Sequence, residues 1–274
     1  MIVLDEHPQR RGLTNELHAR PFQPMRAPGR VLLLAFKQPL NAADRDPEID
    51  RAHLIDLLER HGAAHPPPDA SQHSAQLGRV ILKWERHTEF VSYTLYEENK
   101  AERLFSGGLL GHLPPDWLAS APGKVVAAIQ CEILPAADED AAMRCLNGPL
   151  AREFEPESLA GGWVADRGVL ALGDFRIHEG GFSRFALIVR GEMGPRRIGR
   201  VCQRLLELEV YRTLAMLALP IARRTAKRLN EIERDLAGLI VIEAAPFWLV
   251  VVAAFVLGVA EVLADSVTGT LVPS

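Results

Sequence analysis

The sequence is poor in cysteine. Three occur in 274 residues, Cys131, Cys145 and Cys202, an odd number and scattered. There is no CxxC and no Cys/His pairing at metal-ligand spacing, so the thiols read as reduced and structural rather than as a disulfide framework or a zinc centre. Phosphate loops are missing too: neither GxxxxGK followed by Ser or Thr nor a strand-linked GxGxxG is present. HExxH and GxSxG are absent. No cofactor and no metal is called for. The chain also lacks excess positive charge, at −4 overall, so general nucleic-acid affinity is not expected. Its first residues, MIVLDEHPQRR, hold no basic region followed by a secretory apolar stretch. No repeat of fixed period is visible.

One long stretch lacks charge altogether. Over 244–260 the sequence AAPFWLVVVAAFVLGVA is uninterrupted by any Asp, Glu, Lys or Arg. Its length sits at the short end of the ~17–25 residues that cross a bilayer. Phe247 and Trp248 stand near its first edge, where aromatic rings favour the interface. Glu243 and Glu261 flank it. The competing reading is a buried core helix.

Just before it, 196–236 carries ten Arg and Lys against five Asp and Glu. Val201, Leu205, Leu208, Tyr211, Ala215, Ala218, Ala222, Ala226, Leu229, Ile232 and Leu236 recur at steps of three or four, the spacing of one helical stripe close to a heptad seam. Pro195 suits a first helical turn, and Pro220 predicts a kink or two helices. Arg196, Arg197, Arg200 and Arg204 cluster on one side of the apolar middle, and Arg223, Arg224, Lys227 and Arg228 on the other. They are candidates for contact with anionic lipid or another anionic ligand; the plainer alternative is a solvated helix face. The tail 265–274 has no Lys or Arg, so the positive-inside rule places the N-terminal side in the cytoplasm.

The remaining chain reads as α+β. RVLLLAFK (30–37) is a buried strand, Asp46-Pro47 opens a helix, and Gly62 ends it. QLGRVILKWER (76–86) and EFVSYTLYE (89–97) read as two strands joined by a short turn. A short helix at Pro114–Leu118 and a strand KVVAAIQCEIL (124–134) complete the order βαββαβ, which predicts a ferredoxin-like antiparallel sheet with helices on one face. A helix over 138–154 and strands at 159–164, 169–176 and 182–189 follow. Glu85, His87 and Glu89 bring two acids and a histidine near one turn, but local spacing supplies no further histidine, so a metal site is not assigned.

Near the start, HPQRRGLTNELHARPF (7–22) is dense in polar groups. Glu16, His18 and Arg20 are the candidates for a general base and an anion clamp. A structural role, capping a helix and tying the N-terminus to the sheet, is the other reading. The blocks TNELHARPF (14–22), KWERHTEFVSYTLY (83–96), GDFRIHEGGFSRFALIVR (173–190) and GPRRIGRVCQRLLELEVYRTLAMLALPIAR (194–223) resemble, in this order, the domain-of-unknown-function family 3422. The resemblance implies an uncharacterised bacterial protein with a C-terminal membrane anchor. It implies no established activity, cofactor or catalytic residue.

The expected organisation is a cytoplasmic α+β domain over 1–190, a basic amphipathic helical region over 194–236 kinked at Pro220, a transmembrane anchor within 237–264 and a tail over 265–274. The expected role is binding or scaffolding at the cytoplasmic face of a bacterial inner membrane, with the membrane as partner and self-association through helix 196–236. The alternative is an enzyme or a small anionic-ligand binder built on Asn15 to Pro21.

Overall fold

The computed structural model describes residues 21–39, 45–99 and 103–240, together with position 254. Glu16, His18 and Arg20 lie outside these residues, and so does nearly all of the 244–260 segment. The chain divides into two compact units at Leu214/Ala215, the first holding the sheet.

The first unit is built on one eight-stranded sheet. Its strands are β1 (Gly29–Lys37), β2 (Gln72–Leu77), β3 (Val80–Arg86), β4 (Phe90–Glu97), β5 (Lys124–Ala136), β6 (Ala160–Val164), β7 (Val169–Ile177) and β8 (Ser183–Arg190). They lie in the order β2-β3-β4-β1-β5-β8-β7-β6. Every neighbouring pair is antiparallel except β5 and β8. The four strands expected from the βαββαβ order do stand together as β3-β4-β1-β5. They form only the middle of the sheet, which is larger than a ferredoxin-like one.

The extra edge strand comes from a turn hidden in a run that reads as one strand. QLGRVILKWER folds back on itself between Leu77 and Val80, which pair across the ladder. Gly78 has φ 61° at the first of two turn positions. That left-handed conformation suits glycine and gives the two strands their tight hairpin.

Helices cover both faces of the sheet, not one as expected. On the first face lie α1 (Pro47–Arg60), α2 (Pro115–Ala119) and α3 (Glu139–Cys145). Helix α1 is opened by the Asp46 carboxylate, which accepts from the Glu48 N–H at 2.9 Å, with Pro47 in the first turn. It buries Leu54, Leu57 and Leu58 against Leu32, Leu34, Trp84, Tyr93 and Leu95. The second face is closed by α4 (Pro195–Met216), whose Ile198, Cys202, Leu206 and Val210 pack on Val31, Leu33, Ile129, Ile133 and Leu187. The residues that α4 buries are not the expected stripe: Val201 and Leu205 are half-buried, while Leu208 and Tyr211 are exposed.

The second unit contains α5 (Ala218–Ile240). The helical region is thus two helices, broken at Leu217, three residues before Pro220. Among the described residues no helix is long and apolar enough to cross a membrane, so the expected apolar anchor helix is not part of the described fold.

Candidate functional site

Helix α5 carries two opposed surfaces. At 100° per residue Arg223, Lys227 and Arg234 fall almost in line, Arg224 lies about a quarter turn round from them, and Arg228 borders the apolar side next to Ile232. All five are exposed, and none makes an ion pair among the described residues. Ala218, Ala222, Thr225, Leu229, Ile232 and Leu236 occupy the other side. Their large members are about half exposed, at 53% for Leu229, 48% for Ile232 and 51% for Leu236. No packing within the second unit's described residues covers them. A helix apolar on one side and basic on the other has an apolar face to cover.

The α4 arginines are arranged differently. Arg196, Arg197, Arg200 and Arg204 are all exposed, on the side of α4 away from the sheet. Arg197 pairs with Asp166, and Arg200 stands 5.1 Å over the Phe22 ring. Two of the four are therefore engaged locally, and the free charge concentrates on α5.

Beneath α4 a polar seam crosses the sheet. Lys83 Nζ lies 3.0 Å from Glu85 Oε1 and donates to Gln203 Oε1 at 3.5 Å; Gln203 Nε2 donates to Glu207 Oε1 at 2.7 Å. Ser92 and Thr94 are buried on the same face, and burial holds the Tyr96 hydroxyl well above its usual range. The seam is internally paired and ties α4 to β3. The three groups weighed as a metal site do not converge: Glu85 faces Lys83, Glu89 pairs with Lys37, and the His87 ring stacks on Phe90 at 3.8 Å. Among the described residues no group of three or more His, Cys, Asp or Glu could hold a metal. The cysteines are free. The hydrogen bond that the Cys131 thiol donates to Cys202, together with burial, pushes its pKa well up, the condition of an unreactive core thiol.

One pairing has no precedent in the sequence reading. The β7 ladder passes from Gly173↔Phe185 to Ile177↔Ser183, and the bulge between holds Phe175 at φ 55°. There the buried Asp174 carboxylate accepts from the Glu155 and Arg176 N–H groups at 2.9 and 3.2 Å, and its Oδ2 lies 2.8 Å from His178 Nε2. An oriented imidazole beside a fixed carboxylate is half of a general-base arrangement. No serine, threonine or cysteine side chain is bonded to its other nitrogen among the described residues. The only advance signal was Asp and His four apart within GDFRIHEGG.

His53 is the opposite case. Its Nε2 sits 3.0 Å from the Trp117 carbonyl, so it carries the proton, and Nδ1 then accepts from the Tyr93 hydroxyl at 2.8 Å. Trp117 Nε1 donates back to the His53 carbonyl at 2.8 Å. Burial lowers the imidazole pKa. This histidine locks α1 to α2 as a neutral ring and has no access to a ligand.

The family model described as Protein of unknown function (DUF3422) matches residues 5–243. No curated protein and no solved structure matches the chain. The matched span covers the polar N-terminal segment, the whole sheet and both helices α4 and α5, and the chain belongs to the DUF3422 family.

Proposed function

We propose that this chain is a membrane-anchored binding or scaffold protein, held at the cytoplasmic face of a bacterial inner membrane by the apolar segment within 237–264. The observation that carries the reading is the order of the sequence: α5 with its basic residues comes just before that segment. Arg223, Arg224, Lys227 and Arg228 stand exposed and unpaired by any described acid, and seventeen residues without a charge, 244–260, follow them in the chain. Basic residues close to a cytoplasmic surface gain about 1 kcal/mol each from anionic lipid. A soluble core helix gains nothing from that order. The chain's −4 overall charge argues against a polyanion such as nucleic acid as the target, because the attraction is confined to one helix.

The test of the headgroup contact uses the chain stopped at Leu236, which keeps α5 as far as Leu236, with its basic residues, and loses the apolar segment. It is expected to float with vesicles of phosphatidylcholine plus phosphatidylglycerol and not with phosphatidylcholine alone. Binding is expected to fall steeply as salt rises from 50 to 500 mM, roughly a tenfold change in concentration over which the Debye length shrinks about threefold. Reversing Arg223, Arg224 and Lys227 to glutamate abolishes it. Equal binding to neutral vesicles, or a flat salt response, contradicts the contact.

A further inference from the structure

The basic side of α5 leaves its apolar side to be explained. A bilayer surface could cover it, since amphipathic helices lie apolar side down with basic residues on the polar side; the charges beside the stripe favour a different partner. We infer that the apolar side of α5 binds a second copy of the same helix, as a parallel, in-register, two-stranded coiled coil. This rests on the membrane reading only in that both chains then enter the bilayer from the same end.

The spacing comes first. Ala218, Ala222, Thr225, Leu229, Ile232 and Leu236 alternate in steps of four and three, the a/d rhythm of a heptad. With Leu229 and Leu236 at a and Ile232 at d, the flanking positions are fixed. Arg228 falls at g and Glu233 at e of the following heptad. In a parallel in-register pair g meets the partner's next e, so Arg228 of each chain meets the partner's Glu233, twice by symmetry. In an antiparallel pair e meets e and g meets g. That sets Glu233 against the Glu233 region and Arg228 against the Arg228 region, which does not match the charges.

The remaining charges agree. Arg223, Arg224, Lys227, Glu231 and Arg234 fall at b, c and f, outside the seam. One dimer therefore covers the half-exposed Leu229, Ile232 and Leu236 and leaves Arg223, Arg224 and Lys227 free for headgroups, while Arg228 turns to the partner's Glu233. Alanine and threonine at the first three seam positions allow close approach but contribute little burial, so the grip lies in the last two heptads.

The experiment uses the full-length chain in native membranes, oxidised after single cysteine introduction. Ile232→Cys and Thr225→Cys, at d, are expected to give covalent dimer. Asn230→Cys and Lys227→Cys, at b and f, are expected to give less than a tenth as much. Seam and outer positions cross-linking alike, or no dimer from either d position, overturns the inference. Charge reversal then tests orientation. Arg228→Glu and Glu233→Arg each weaken association by about fivefold, from two pairs turned from attraction to repulsion, and the double reversal restores it. Failure of the double variant to recover overturns the parallel register. Reversing Arg223, Arg224 and Lys227 leaves the Ile232→Cys cross-link intact while vesicle preference is lost. A failed cross-link with vesicle preference retained removes the dimer and leaves the membrane reading standing.

Discussion

Helices α4 and α5 are consecutive in the chain, close in length at 22 and 23 residues, and each has arginines along one side. Their apolar sides differ. Helix α4 places Ile198, Cys202, Leu206 and Val210 on the sheet at 0–4% exposure, whereas the large apolar residues of α5 remain about half exposed. Two similar patterns thus end differently: one closes a core, the other is left uncovered among the described residues. Amphipathicity alone says that a helix has something to cover and not what covers it. What separates the two is the detail around the stripe. Helix α4 has Gly199 where it passes the backbone at Gln23, and a buried Glu209 held by Arg212 and Ser183. Helix α5 has a strict four-three rhythm and charges at the positions beside it.

Substitutions in the two helices are expected to separate along the same line. The largest effect belongs to α4. Leu206→Ala leaves a cavity against β1 and β5 and lowers the stability of the sheet domain by about 2–5 kcal/mol, read by thermal or denaturant unfolding. Next comes Gly199→Ala. In a free helix it would stabilise by about 1 kcal/mol. Here the added Cβ would lie 2.1 Å from the Gln23 carbonyl oxygen, and the change destabilises instead. Stabilisation by this variant would show that α4 is not seated on residues 23–24.

A smaller effect is linked to pH and sharpens the contrast between core and surface. Burial lowers the folded-state pKa of His53 below its ordinary 6.5. The unfolded chain therefore binds the proton more readily. Stability from the neutral ring is complete above about pH 6.5 and drains away as pH falls below that value toward the folded pKa. His53→Gln, compared with the parent chain across pH 5–8, is expected to flatten this part of the slope. An unchanged slope would mean that His53 does not carry it. The smallest effect on folding belongs to α5: Ile232→Ser is expected to move the sheet domain's unfolding by no more than about 0.5 kcal/mol, while abolishing the cross-link from Thr225→Cys.

Much of the sheet was legible because its strands announce themselves. RVLLLAFK and EFVSYTLYE became β1 and β4 with near-complete burial, and KVVAAIQCEIL became β5. The β2–β3 hairpin was not, because its turn is only Gly78-Arg79 inside an unbroken run of strand-forming residues. The second layer was missed for a different reason. The apolar arc of α4 is wide enough to accommodate two adjacent stripes. Val201, Leu205 and Leu208 fit one, and Ile198, Cys202 and Leu206 the other; only the sheet decides between them. The α5 basic residues could be read directly, since charge on an exposed helix needs no tertiary partner to be recognised. Asp174 and His178 could not. Their pairing depends on a bulge and on backbone N–H groups from Glu155 and Arg176, which side-chain patterns do not encode.

The most direct test of the central claim, that the segment following α5 anchors the chain, is membrane fractionation of the full-length protein beside a version stopped at Leu236, each washed with alkaline carbonate. Full-length protein retained in the washed membrane, with the shortened form released, is the predicted result. Release of both forms would contradict it and make 244–260 a core or assembly helix.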